Sequence, residues 1–100
     1  MTLPRLSLNA MRAFEATARL RSFSAAADEL FVTHGAVSRH IRILDDSLGL
    51  PLLVRSAHGT ETTVEGQRFA EGLSRAFALI QSSIEQLKRS EEHTSELQSR

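Results

Sequence analysis

The stretch "FVTHGAVSRHIRILDDSLG", Phe31 to Gly49, decides how this sequence is read. Placed on a helical wheel at about 100° per residue, Val37, Ile41, Leu44 and Leu48 fall in one narrow arc, and Gly35, Ser38, Arg39 and Arg42 fall opposite. One side is therefore aliphatic. The other carries two arginines and no acid until Asp46, which either pairs with Arg42 or lies beyond the working face. Thr33 is placed to cap the start of this helix, Gly49 to end it, and Pro51 to prevent its resumption.

Upstream, "SLNAMRAFEATARL" spaces Leu8, Met11, Phe14 and Ala18 three and four apart, which predicts a first helix with Ser7 or Asn9 as its cap. "RSFSAAADELF" predicts a short second helix with Ser24 before it. Ala26, Ala27 and Leu30 form its inner face, and Asp28 and Glu29 point outward. Two helices joined by a brief turn, the second amphipathic, make a helix-turn-helix.

Downstream, Leu52 to Arg55 and Glu61 to Thr63 are β-compatible runs around "SAHG", which predicts a two-stranded wing with Gly59 in the turn. The following helix is capped by Thr62, in a capping box with Glu65, or by Thr63. From Val64 to about Arg89, Phe69, Leu73, Ala76, Ile80, Ile84 and Leu87 form one stripe, which Phe77 widens. A helix of roughly 39 Å outruns the small body before it. The stripe is either intradomain core or a dimerisation surface, and its length favours the latter. The expected fold is mostly α: a winged helix-turn-helix over 1–62, then a linker helix over 63–88.

Composition narrows the function. With 100 residues the chain holds at most one modest core, and without cysteine it lacks disulfides and thiolate metal sites, so a reducing cytoplasm is the expected setting. No apolar run is long enough for a secretion signal or a bilayer span, so no membrane partner is expected. The formal charge is zero, but residues 1–90 carry eleven bases against nine acids. His34, His40 and His58 form no metal spacing with acids. There is no nucleophile beside a base and no glycine-rich phosphate loop, so neither an enzyme nor a cofactor is expected.

The basic face suits duplex DNA. A helix in the major groove keeps one side packed and offers the other to base edges and phosphates. Arg39 is suited to bidentate donation to guanine, Ser38 to a phosphate or base edge, and Arg42 to a phosphate. His34 can donate or accept, and Gly35 lets the backbone approach closely. Arg21, Ser22, Ser24 and Thr33 near helix starts are candidate phosphate anchors, and Arg55 and His58 of the wing reach flanking DNA. The plainer readings are that both helix arginines lie on a solvated face, the hydroxyls are only caps, and His58 is a turn residue. On those readings the chain is a helical dimerisation or interaction module that has lost DNA binding.

In combination, "SFSAAADEL", "VT..AVSR.I..L...LG" and "T..G" are highly specific, and over about residues 6–88 the chain resembles the N-terminal part of LysR-type transcriptional regulators. The resemblance implies a homodimer or dimer of dimers with antiparallel linker helices, each protomer placing its third helix in the major groove of an interrupted palindrome. It puts base and phosphate readers on Thr33, His34, Gly35, Ser38 and Arg39, and the wing arginine on Arg55. The "LNAMRAFEA" opening and "VTH" turn look most like a subgroup that includes activators of amino-acid metabolism and of β-lactamase genes.

There are departures. His34 stands where glutamine is usual, which changes the available hydrogen bonds and adds pH sensitivity. Leu53 stands near a common phenylalanine, so looser wing packing is expected. The family's larger inducer-binding domain has no counterpart here, and any small-molecule inducer would act through it. Finally, "RSEEHTSELQSR", Arg89 to Arg100, resembles the in-frame translation of a sequencing-library adapter. The tail 89–100 is therefore expected to be non-native, the alternative being a degraded C terminus.

Overall fold

The computed structural model describes residues 6–98, with side chains up to residue 90. Three helices, α1 (Leu8–Leu20), α2 (Phe23–Leu30) and α3 (His34–Leu48), precede an antiparallel hairpin of β1 (Leu53–Ser56) and β2 (Gly59–Thr62) and the long α4 (Val64–Gln98).

Each early helix begins at a hydroxyl that accepts a backbone N–H. Ser7 caps α1 through Ala10 at 3.2 Å, Ser22 caps α2 through Ala25 at 3.0 Å, and Thr33 caps α3 through Ala36 at 3.0 Å. Ser7 rather than Asn9 thus starts α1. Ser24, expected before the second helix, instead lies in its first turn, because Ser22 has the extended backbone a cap requires. The three helices end in left-handed residues, Arg21, Phe31 and Gly49.

α1 is the hub, packed against α2, α3 and α4. This explains why its buried residues exceed one stripe. Ala10, Ala13, Phe14, Ala16 and Thr17 are buried, whereas Leu8, expected inside, is exposed at the helix start. Alanine at the crossings lets backbones approach, and Thr17 satisfies its hydroxyl by donating to the Ala13 carbonyl at 2.8 Å. From α3, Val37, Ile41 and Leu44 complete the core, while Leu48 near the helix end is exposed.

The strands of the wing lie closer to the turn than expected, β1 shifted by one residue and β2 starting at Gly59 rather than Glu61. Leu53 pairs with Thr62 and Ser56 with Gly59, leaving Ala57 and His58 as a two-residue turn. Gly59 begins β2 with φ +112°, a conformation L side chains rarely adopt. Thr63, not Thr62, caps α4, accepting from Gly66 N at 3.0 Å while its own N–H reaches the Leu52 carbonyl at 3.1 Å. Thr62 instead donates to Gln67. Here α4 presses onto the start of the wing. A Cβ at Gly66 would lie 2.0 Å from the Leu52 carbonyl oxygen, so only glycine fits the crossing.

α4 then divides. Phe69 stacks on Phe14 of α1 with ring centroids 5.7 Å apart, Ala70 and Leu73 are buried, and Phe77 rests against the core. Of the expected pairing stripe, Leu73 is thus buried and Phe69 and Phe77 are partly covered by their own domain, because α4 crosses α1 there. Ile80, Ile84 and Leu87, 50%, 41% and 66% exposed, remain uncovered, as does Ala76. The helix also continues past Arg89 to Gln98, since no Gly or Pro interrupts it. The expectation that 89–100 is non-native concerns origin; Ser99 and Arg100 lie outside the described residues.

Candidate nucleic-acid interface

The turn after α1, the N-terminus of α2, the first turns of α3 and the wing converge on an open concavity of about 350 Å³. Arg21, Ser22, Ser24, His34, Ser38 and Arg55, all expected at the site, line it together with Phe23, Ser56, Gly59 and Thr60. No carboxylate lines it. A neighbouring depression is lined by Ser38, Arg42, Arg55 and one acid, Asp45, and at the wing edge the Glu61 carboxylate accepts from Ser56 Oγ at 2.7 Å.

Asp45 forms no ion pair with the arginines among the described residues. One of its carboxylate oxygens accepts the Leu52 N–H at 3.2 Å, which ties α3 to the start of β1. Burial pushes its pKa up, against the lowering effect of that hydrogen bond, and Asp46 pushes it further up. Of the two alternatives for Asp46, pairing with Arg42 is not realised among the described residues. Arg21, Arg39, Arg42 and Arg55 likewise make no ion pair there.

Arg39 and Gly35 are exposed on the outer side of α3 and do not line the concavity. A Cβ at Gly35 would meet nothing within 4 Å, so that side of the helix start is open. Thr33 is exposed, with its hydroxyl oxygen engaged in the cap. His58 sits at the wing turn, outside the concavity, its N–H donating to Ser56 Oγ at 3.2 Å. Sequence reasoning missed Phe23, whose ring lies 5.5 Å from that of His34 at 31°. Nothing in linear spacing pairs residues eleven apart across a turn; the only signal was an aromatic at a helix start.

The opposite side of the domain has different chemistry. Arg19 of α1 donates to Glu15 at 3.0 Å and to Glu29 of α2 at 3.1 Å, and Ser74 of α4 donates to Glu15 at 2.7 Å. The guanidinium is held above its ordinary pKa chiefly by Glu29, then by Glu15, and the Arg19 hydrogen bond lowers that of Glu29. Among the described residues, no group of three or more His, Cys, Asp or Glu is placed to hold a metal, and no helix is long and apolar enough to cross a membrane.

A three-helix body whose third helix projects a basic outer face, flanked by a hairpin, is a winged helix-turn-helix. Residues 8–67 match the family described as "Bacterial regulatory helix-turn-helix protein, lysR family", and the chain belongs to that family, one of regulators rather than enzymes. It is 48% identical over 83 residues to the HTH-type transcriptional regulator TrpI of Pseudomonas aeruginosa, covering 83% of this chain and 28% of that protein. It is also 48% identical over 84 residues to the HTH-type transcriptional activator AmpR of Providencia stuartii, covering 84% and 29%. The chain thus spans less than a third of the length of these relatives. Among solved structures, the BenM DNA-binding domain in complex with catB site 1 DNA matches with a TM-score of 0.76 at 31% identity, covering 84% of this chain and 93% of that one. The CbnR DNA-binding domain–DNA complex matches with a TM-score of 0.71 at 29% identity, covering 85% and 98%.

Proposed function

We propose that this chain is the sequence-specific DNA-binding head of a cytoplasmic LysR-type transcription regulator. α3 enters the major groove, with Thr33, His34, Gly35, Ser38 and Arg39 at the bases and nearest phosphates. Arg42 and the anchors Arg21, Ser22 and Ser24 grip the backbone, and Arg55 and His58 follow the flanking DNA. The observation that carries this reading is the acid-free concavity formed by α2, α3 and the wing, beside arginines with no ion-pair partner among the described residues. DNA complexes of the similar BenM and CbnR domains support it.

The outer half of α4 pairs two protomers through Ile80, Ile84 and Leu87, bordered by Ala76, so that a dimer reads an interrupted palindrome. In the whole protein, dimers pair into tetramers, and a further domain receives a small-molecule inducer. Residues 89–100 are adapter-derived, which resequencing the source DNA across the codons for Gln86 to Arg100 tests directly.

The decisive experiment is binding to duplex DNA enriched by this chain from a random pool, measured across salt. A DNA-binding head loses affinity with a log–log slope of about −0.9 per neutralised phosphate. An interaction module shifts no DNA at any salt, and that result would overturn the reading.

A further inference from the structure

The concavity holds one pair whose role is not explained by contact with DNA alone. Phe23 is half-buried, rests on the core and is the first residue of α2, directly behind the Ser22 cap. His34 is exposed and is the first residue of α3, directly behind the Thr33 cap. Both backbones are therefore fixed by a capping hydrogen bond of 3.0 Å. With the rings 5.5 Å apart and tilted by 31°, an anchored phenyl ring limits the directions in which the imidazole N–H groups can point.

We propose that Phe23 is a positioning residue that holds His34 so that its imidazole takes up a proton as duplex DNA binds and donates to an acceptor on the DNA. This rests on the DNA-binding reading above. Imidazole is the side chain that ordinarily changes charge between about pH 5 and 8. The charged groups facing His34 across the concavity are Arg21, from the turn before α2, and Arg55, from the wing. From α2 and α3 the concavity is lined beside it by the Phe23 ring, against which it lies, and by Ser22, Ser24 and Ser38. Two guanidinium groups and no carboxylate line the concavity with it, and at the wing edge the Glu61 carboxylate is held by Ser56 Oγ at 2.7 Å. DNA reverses that balance by bringing the negative charge the concavity lacks, while the aromatic ring favours an imidazolium beside it. Binding and protonation are then linked, and affinity rises as pH falls.

The test uses the full chain on DNA enriched from a random pool and on the unselected pool, at constant ionic strength, between about pH 8 and 5.5. Affinity is expected to rise by about tenfold per bound protomer, the effect of a one-unit change in proton affinity. In His34→Gln, whatever its affinity at pH 8, the rise is lost. Phe23→Leu loses it too, and Phe23→Tyr, which keeps the ring, retains it. Calorimetry of the wild-type chain in buffers of different ionisation heat reads the proton uptake directly, whether or not Phe23→Leu folds. A rise on both pools assigns the acceptor to phosphate, and a rise confined to enriched DNA assigns it to a base edge. A pH profile unchanged by His34→Gln, a full rise in folded Phe23→Leu, or no proton uptake overturns the inference while DNA binding stands. A chain that binds no DNA at any pH overturns both readings.

Discussion

Arg19 and Arg39 have the same chemistry and opposite situations. On the α1–α2 side, Arg19 is held by Glu15 and Glu29, and Ser74 draws α4 into the same network. On the α3 side, Arg39 is exposed with no ion-pair partner among the described residues, and Arg21, Arg42 and Arg55 share that condition. The first arginine helps assemble the fold, and the others leave their donors available. What separates a structural cation from a binding one is the placement of carboxylates, which a near-neutral total charge conceals.

If the two sides have separate duties, substitutions should divide cleanly between stability and binding. The largest effect is expected in the core beneath both: Phe14→Ala, at a fully buried ring stacked on Phe69, should cost about 3–5 kcal/mol in chemical denaturation. Such a loss would unfold much of a chain this small, so its DNA binding should fail only as folding fails.

Next in size, Arg39→Ala is expected to weaken binding to enriched DNA by about 1–3 kcal/mol and relax base choice at one position per half-site. Its unfolding midpoint should stay close to wild type, since the side chain is exposed and makes no ion pair among the described residues. Equal losses on enriched and random DNA would reduce Arg39 to a phosphate contact and narrow its difference from Arg42.

A third comparison lies within α4. Ile80→Asp should halve the mass in solution without unfolding the domain, because Ile80 is half exposed and beyond the core, whereas Leu73→Asp should unfold it. An unchanged mass for Ile80→Asp in sedimentation would remove the outer half of α4 from the pairing surface.

The smallest effects are those of Arg19. Because its guanidinium is well exposed, Arg19→Met should cost no more than about 1 kcal/mol and leave DNA affinity unchanged. Its signature is in pH. Glu29 is lowered in the fold, so the stability from its pairing is full above its ordinary value of 4.5 and lost as pH falls through the folded value. Asp45 is raised, so its contribution has the opposite sign, full below 3.8 and lost as pH rises through the folded value. Acid titration of stability should therefore flatten in Arg19→Met, while Asp45→Asn should remove a loss on the alkaline side of the same range. Indistinguishable acid profiles for Arg19→Met and wild type would show that the network adds nothing to the fold.

Local chemistry made much of this molecule legible from its sequence. Helical period announced α1, α2 and α3, and Thr33 announced the start of α3, because both act within a few residues; at α2 the expected Ser24 gave way to Ser22. The arc of Gly35, Ser38, Arg39 and Arg42 was readable for the same reason. Contacts made across the chain were not. Thr62 and Thr63 are equally good caps in isolation, and the crossing of α4 over Leu52 selects Thr63. Leu8 has the right period for the core, yet α1 is enclosed by three other helices that take up its alanines instead.

The sequence by itself determined which segments are helical and which face of α3 stays polar, since periodicity and propensity are short-range. Only the tertiary structure decided that Phe69 and Leu73 belong to the core while Ile80 and Ile84 remain bare, that Arg19 is paired while Arg55 is not, and that Phe23 lies against His34. Each of these depends on which distant residue arrives at the same place, and only packing brings distant residues together.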